Sequence, residues 1–479
     1  MRPDDPLDQI LLGFSDEDPF TIRDAFEGVQ IFGSVGSGKT SGSGALFARA
    51  YLAAGFGGLV LTAKVDETDL WRRYARETGR EDDLIVIGPK AEQRFNFITY
   101  EANHPDAEAG LTENIVRLFE TVSGSVGGVA SRVGTDDQFW TQEYRKLLRN
   151  AIDLLILAGR PVTLENIHMV IMDAPLSLEK IEDENWRADS FHCEVLEDAY
   201  ARRENGEMSD EEKNTFRMTV QFWTRGFPTQ PEKTRATVLS IFTGMSDVFL
   251  RGMLHRIFST DTTVTPEASL EGKVIVLDLP EKRFHELGVA AQTLFKFCWQ
   301  RSIERRKIEA NSKPVFLWMD ESQLFVNRHD VGFQATARSA RVATVFLTQN
   351  IPNYYASMGG ENASKAFVES LMGNMGTKIF HNNNCSITNQ YASELFAKDW
   401  RSVVSYGTTT LEGKLSQSSS QDQQLEYTVL PRAFTTLATG GPNNDFIVEG
   451  IVHRSGRIFN CSGRNALQSV FKQTMYTHA

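Results

Sequence analysis

The sequence predicts an α/β protein, a mostly parallel sheet flanked by helices with an all-helical domain inserted into it. Three observations carry this prediction. Short apolar runs alternate with helical stretches over residues 1–102, residues 103–230 show apolar side chains at three-to-four spacing without a convincing strand, and alternation returns after residue 273. Alternation of this kind places successive strands parallel, with helices on both faces. The expected division is 1–102 as the first part of the sheet domain, 103–230 as the helical insertion, and 231–479 as the second part with a C-terminal hairpin. The length of 479 residues suits either about three domain-sized units or one large α/β domain with an insertion.

The elements follow in order. The opening "DQILLGFSDEDPFTIRDAFEGVQIFG" reads as a hairpin leading into a core strand, "GVQIFG". "GGLVLTAK" (57–64) is a second buried strand, "DLWRRYARETG" a helix, and "DDLIVIGP" (82–89) a third strand. Within 103–230, "LTENIVRLFETV", "DQFWTQEYRKLLRNAIDLLILAG" and "EKNTFRMTVQFWTRGF" carry helical periodicity, and Thr163 is a helix N-cap. Helix continues through "PEKTRATVLSIFTGMSDVFLRGMLHRIF". Then "GKVIVLDLP", "PVFLWMDES", "VATVFLTQN" and "GTKIFHNNN" are four apolar runs that end in polar residues. Central parallel strands deliver functional groups to one sheet edge in this way. "KLSQSSSQDQQ" (414–424) reads as a polar loop, and the tail from "LEYTVLP" to "FNCSG" as a closing hairpin whose turn is "GGPNND".

Composition narrows the class. Hydrophobic content of 41% and charged content of 23% suit a globular protein with a large core. No apolar run approaches the ~20 residues of a membrane-crossing helix, and the acidic N-terminus lacks the features of a signal peptide. Cys193, Cys298, Cys385 and Cys461 are scattered, which predicts reduced thiols in a cytoplasmic protein rather than disulfides or a zinc site. Net charge is −12, and residues 103–230 alone hold 13 Lys/Arg against 23 Asp/Glu, or −10. An acidic total disfavours broad binding to nucleic acid but leaves room for a ring with a basic central channel. The acidic rim "EKIEDENWRAD" and "RRENGEMSDEEK" reads as a solvated helix face, with docking of a partner as the alternative.

The chemistry begins at "GSVGSGKT". Gly33, Ser34, Val35, Gly36, Ser37, Gly38, Lys39 and Thr40 fit the phosphate-loop pattern between a strand and a helix, with Ser41 following. Glycines let the amides of Gly36, Ser37, Gly38 and Lys39 turn toward phosphate oxygens at a helix N-terminus. Lys39 neutralises phosphate charge and Thr40 presents its hydroxyl to Mg²⁺, so ATP and Mg²⁺ are expected. In "KPVFLWMDESQLF" an apolar run ends in Asp320 and Glu321, predicting a metal-shell carboxylate and a base for the attacking water. Asp278 in "VIVLDLP" is followed by leucine, so it is assigned to the end of a neighbouring strand. Gln349 closes the next strand, either as a γ-phosphate sensor or as a buried structural glutamine. Arg338, rather than Arg341, is the expected guanidinium that reaches a neighbouring subunit's site. Gly42 and Gly44 are expected to let the helix after the loop pack closely on the sheet.

This order of parts resembles the FtsK/HerA superfamily of DNA-pumping ATPases, and within it the type IV coupling proteins of bacterial conjugation (the TraG/TraD class). The motifs "GSVGSGKT" and "MDES" carry the resemblance, together with an arginine, Arg338, eleven residues before the strand-terminal Gln349. "LTAKVDE" (61–67) and "LMGNMGTKIFHNNN" are further similar segments. The resemblance implies a RecA-like P-loop NTPase core and a homo-hexameric ring that passes DNA through a central channel. It also implies that the arginine acts in trans. Many coupling proteins carry N-terminal membrane helices that are not found here. The expected site is therefore cytoplasmic, peripheral at the inner membrane only through another chain. The acidic helical domain suits a basic accessory or relaxosome protein better than DNA. Two rival readings stand beside conjugative transfer: a docking hub with a slow ATPase, and a cytoplasmic DNA motor for repair, packaging or defence. Trp71, Arg72 and Arg73, or the run Arg301 to Lys307, either line a channel or form solvated helix faces.

Overall fold

Each apolar run named above becomes a strand, and further segments add to them. In chain order these are β1 (Ile10–Ser15), β2 (Asp18–Thr21), β3 (Val29–Phe32), β4 (Gly57–Leu61), β5 (Leu84–Ile87), β6 (Val274–Leu277) and β7 (Val315–Met319). They continue with β8 (Val342–Thr348), β9 (Thr377–Phe380), β10 (Lys398–Leu411), β11 (Lys414–Tyr427), β12 (Ile447–Arg454) and β13 (Ala466–Lys472). The structure, a computed structural model, describes residues 5–103, 111–126, 137–411 and 414–473. The first residues of the acidic N-terminus (1–4), and 104–110 and 127–136 of the predicted helical domain, lie outside the described residues.

Two compact units form. One comprises Met1–Phe56, Tyr74–Glu81 and Asn311–Ala479, the other Gly57–Arg73 and Asp82–Ala310. In the first, strands follow the order β13-β12-β9-β3-β8-β7. β3 lies parallel to both β8 and β9, and β7 parallel to β8, while β12 is antiparallel to β9 and β13. Every residue of β3, β7, β8 and β9 is buried. Their sequences are mainly apolar, as a sheet covered on both faces requires, with Gln30, Thr344, Thr348, Thr377 and Lys378 as the polar exceptions. Phe32 is level with Thr348 on one side and Phe380 on the other, so three strands end together at one edge. The predicted opening hairpin is β1–β2, and a capping box between Thr21 and Asp24 turns the chain toward β3. Phe14, Phe20 and Phe47 interlock edge-on and hold the hairpin to the helix Ala45–Ala53.

The second unit carries the parallel strands β4-β6-β5. Between β5 and β6 the described residues form helices and no strand, among them Asp137–Leu157, Leu164–Met172, Phe191–Glu204 and Asp210–Gln221. Thr163 caps the second of these, its side chain accepting from the Asn166 amide. Trp223 is fully buried in this helical group and donates to the Asn150 carbonyl at 3.1 Å. The predicted fold class, mostly parallel strands flanked by helices with a long helical run inserted, is therefore present. Among the described residues no single helix is long and apolar enough to cross a membrane. The predicted helix after residue 230 breaks at Arg251 into Glu232–Leu250 and Gly252–Phe258, bent by 80°.

The structure corrects three expectations and bears out a fourth, the place of Asp278 at a strand's end. The polar segment 414–424 is not a loop but most of β11, paired with β10 over fourteen positions of each strand. Alternation of apolar and polar residues marks a strand only when one face is buried, and here the described side chains of both faces are largely wet. The closing hairpin is β12–β13, joined through residues 455–465, whereas "GGPNND" makes a smaller turn bridged between Thr439 and Val448. Trp71 is 2% exposed, a core residue rather than a channel or solvated one. Asp278 ends β6, whose parallel partners are β4 and β5, and accepts from Thr68 at 2.8 Å.

Candidate nucleotide-binding site

The phosphate loop leaves β3 at the edge where three strands end. The Gly33 amide donates to the Thr348 carbonyl at 3.2 Å and the Ser34 amide to the Asn382 carbonyl at 2.9 Å, which ties the loop to the ends of β8 and β9. Gly36 and Gly38 have φ of +75° and +81°, conformations that L side chains rarely hold. A Cβ on Gly36 would meet nothing within 4 Å, whereas one on Gly38 would lie 2.4 Å from Val448 Cγ2. The loop is thus open at its crest and closed against β12 at its base. Val35 is exposed at the crest, and the Ser37 hydroxyl is buried without a hydrogen-bond partner among the described residues.

The helix after the loop opens with a π turn, Thr40–Gly44, in which the Gly44 amide reaches the Lys39 carbonyl at 2.8 Å. Single π turns of this kind recur at functional sites. Here the turn depends on small residues. A Cβ on Gly44 would sit 2.9 Å from the Lys39 carbonyl and 3.2 Å from Leu347 Cδ2, and one on Gly42 would sit 3.1 Å from Val448 Cβ. Close packing on β8 and β12 is the reason both positions are glycine. Ser41 lies beside the C-terminal strand, its hydroxyl accepting from Gln473 at 2.6 Å.

β7 brings the two carboxylates to the same edge. The Thr40 hydroxyl donates to Asp320 Oδ2 at 3.0 Å. Lys39 Nζ lies 3.6 Å from Glu321 Oε1, with side chains only 8% and 12% exposed. Glu321 itself is left-handed, φ 49° and ψ 50°, in a region costly for a residue with a Cβ. Its neighbours hold it there. Its amide donates to Asp320 Oδ1 at 2.9 Å, and the next residue, Ser322, donates to the Leu347 carbonyl. Ser322 Oγ also lies 2.6 Å from the Tyr354 hydroxyl, itself 3.2 Å from Oε1 of buried Gln30 in β3; with one proton each, the two hydroxyls donate in two of these three contacts at a time.

The Glu321 carboxylate is gripped by amides. Gln323 Nε2 donates to it at 2.9 Å and Gln349 Nε2 lies 3.3 Å from both oxygens. Thr348 fixes Gln323 by donating to its Oε1, and Asn383 donates to the Gln349 carbonyl at 2.9 Å. Beneath the loop, His381 is fully buried between the Ser43 hydroxyl at 2.6 Å and the Glu449 carbonyl at 2.7 Å. Burial, seconded by the nearby Lys39 charge, lowers its pKa to about 4, so the ring is neutral and bridges the π turn to β12. Sequence reasoning missed Gln323, Asn383 and His381. The one available signal was that "MDESQ" and "HNNN" are polar clusters at strand ends.

Two predicted residues lie elsewhere. Arg338 caps the helix Arg328–Ala337, is two-thirds exposed, and ion-pairs with Glu27 at 3.7 Å. Glu27 precedes β3 and Arg338 precedes β8, so both mark the edge opposite the phosphate loop. At ~3.3 Å per residue, the strand between Glu27 and Gly33 spans about 20 Å. Arg338 therefore stands well away from Glu321 of its own chain. Arg341 (φ 52°) donates to the Ser312 carbonyl at 3.0 Å, a backbone-anchoring role.

No protein-family model matches this chain, and no curated protein matches it in sequence. Solved structures do resemble it. The bacterial conjugative coupling protein TrwBdeltaN70, in an unbound form, aligns with a TM-score of 0.61 at 13% identity, covering 98% of this chain and 89% of that one. The plasmid coupling protein TrwB in complex with the non-hydrolysable ATP analogue ADPNP, and TrwB in complex with ADP and Mg²⁺, each align with a TM-score of 0.57 at 13% identity. Each covers 99% of this chain and 91% of that one. Over nearly its whole length, then, this chain has the fold of the conjugative coupling protein TrwB.

Proposed function

We propose that this chain is an ATP hydrolase that works as a homo-oligomeric ring and translocates DNA as a coupling ATPase of type IV secretion. One observation carries the reading: beneath a single phosphate loop, Thr40 meets Asp320 while Lys39 meets Glu321. The fold shared with TrwB, and the nucleotide complexes of that protein, support ATP as substrate with Mg²⁺. The residues fit the ion, because the Thr40 hydroxyl and Asp320 carboxylate are 3.0 Å apart and offer hard oxygen ligands. Bound there, Mg²⁺ supplies charge neutralisation to the phosphate oxygens.

The chain's own groups divide the work. Amides of Gly36, Ser37, Gly38 and Lys39 bind phosphate oxygens, with Gly33 to Ser41 forming the cradle, and Lys39 exchanges its contact with Glu321 for one with phosphate. Glu321 is the base that takes the proton of the attacking water, and Gln349 with Gln323 aims its carboxylate. Arg338 acts on the site of a second copy, since a guanidinium supplied by a neighbour stabilises charge spread over the transferring phosphoryl group. Residues 103–230 form the acidic lobe of this motor, with 1–102 and 231–479 as its ATPase body. The charge of −10 over 103–230 favours a second reading, a docking hub that receives a basic accessory or relaxosome protein.

ATP turnover measured with and without single- and double-stranded DNA at several salt concentrations tests the proposal. The motor reading expects turnover to rise with DNA. Turnover that DNA leaves unchanged at every salt concentration refutes it and leaves the docking hub.

A further inference from the structure

The hairpin β10–β11 is a long element that the nucleotide site does not use. Its register pairs Lys398 with Tyr427, Trp400 with Leu425, Ser402 with Gln423, Val404 with Gln421 and Tyr406 with Ser419. Side chains opposite one another share a face and alternate along each strand. One face therefore carries Trp400, Val404, Tyr406 and Leu425, and the other carries Asp399, Arg401, Asp422 and Glu426. The first face is bare: Trp400 is 64% exposed, Tyr406 83%, Leu425 50% and Val404 46%. A two-stranded ribbon is marginal in water by itself, and long unpaired edges with an apolar face attract a partner.

Its chemistry and size narrow the partner. The described side chains of the arm hold Lys398 and Arg401 against Asp399, Asp422 and Glu426, a net charge of 2 − 3 = −1. Binding to a phosphate backbone needs a basic excess, which this surface lacks. Exposed Trp and Tyr on a neutral surface instead match the anchors of protein interfaces. Fourteen residues per strand span about 46 Å, and two strands about 10 Å, so the apolar face offers about 450 Å². A stable interface takes about 800 Å² from each partner, so the arm supplies about half of one and fits a contact that adds to a wider interface.

The root of the arm leads to the nucleotide site. The Thr428 amide donates to the Ala397 carbonyl, and Tyr427 accepts from Gln390 of the helix Ser386–Phe396. That helix begins just after Asn384, whose amide donates to the Ser34 hydroxyl of the phosphate loop at 3.1 Å. Meanwhile Arg338 faces away from its own Glu321, so the site awaits a second copy. We infer that the occupant of the arm's apolar face is a second copy of this chain, and that the arm is a clasp between ring neighbours. The inference rests on the ring reading above, and extends it by assigning the contact to Trp400, Val404, Tyr406 and Leu425.

Sedimentation velocity of the full chain with Mg²⁺ and a non-hydrolysable ATP analogue, over a range of protein concentrations, tests this. The double variant Trp400→Ala/Tyr406→Ala should raise the concentration at half-assembly about thirty-fold or more, the effect of losing interface anchors. It should keep wild-type thermal stability and monomer nucleotide binding. In parallel, benzoyl-phenylalanine at position 406 should photo-crosslink to a second copy, a readout that does not depend on the double variant folding. Wild-type assembly by the variant, or crosslinks confined to the same chain, overturns the clasp and leaves the ring reading standing. A wild type that neither assembles nor hydrolyses ATP overturns both. A variant that assembles normally but loses DNA affinity also overturns the clasp, making the arm a nucleic-acid surface.

Discussion

Glu321 concentrates the chemistry at the residue scale. Its left-handed backbone is held by Asp320, Ser322 and Tyr354, and its carboxylate meets Lys39, Gln323 and Gln349. Glu321→Gln keeps the shape and removes the base, so a fluorescent ATP analogue should bind with near wild-type affinity while turnover falls by about 10²–10⁴-fold. Retained turnover would exclude Glu321 as the base. His381 supplies a second prediction. A ring lowered to about 4 in the fold, against ~6.5 unfolded, binds its proton preferentially in the unfolded chain. Its contribution is complete above pH ~6.5 and is lost as pH falls toward 4, with a slope of up to about 1.4 kcal/mol per pH unit. His192, also near 4 through burial, adds a like slope. Urea unfolding of His381→Asn between pH 4 and 6.5 should show a slope shallower by about one proton; an unchanged slope would contradict the neutral assignment.

At the scale of elements, the helix after the loop depends on glycine for its approach to the sheet. Gly44→Leu forces a side chain between the Lys39 carbonyl and Leu347, and should lower unfolding free energy by about 1–3 kcal/mol in urea. Stability equal to wild type would show that the π turn yields freely. The buried strands were legible in sequence because β3, β7 and β8 lie between covered faces and so read as mainly apolar runs, broken only by Gln30 in β3 and by Thr344 and Thr348 in β8. The phosphate loop and Asp320–Glu321 were legible for a related reason, as polar residues where such runs stop. The arm was not, since 414–424 carries Leu415 as its only apolar residue and its pairing with β10 is a backbone matter. Nor were the supports of the site: Ser43 and His381 meet across 338 positions of chain, and nothing local to either announces the other.

For the whole molecule, the opposed edges decide what an isolated chain can do. The phosphate loop, Asp320, Glu321 and Gln349 stand at one end of the central strands, and Arg338 with Glu27 stands at the other. A single copy thus holds a phosphate loop with its carboxylates at one edge and Arg338 at the other, an arrangement in keeping with the proposed ring, in which a neighbour completes the site. The same division assigns opposite results to the two substitutions in mixtures: Glu321→Gln silences its own site, whereas Arg338→Ala silences the site next door. The most direct test titrates Arg338→Ala into wild type at constant total protein, with ATP, Mg²⁺ and DNA, and measures phosphate release. Turnover should fall well below the straight line of proportional loss. Turnover that tracks the wild-type fraction along that line would contradict a shared site and, with it, the ring.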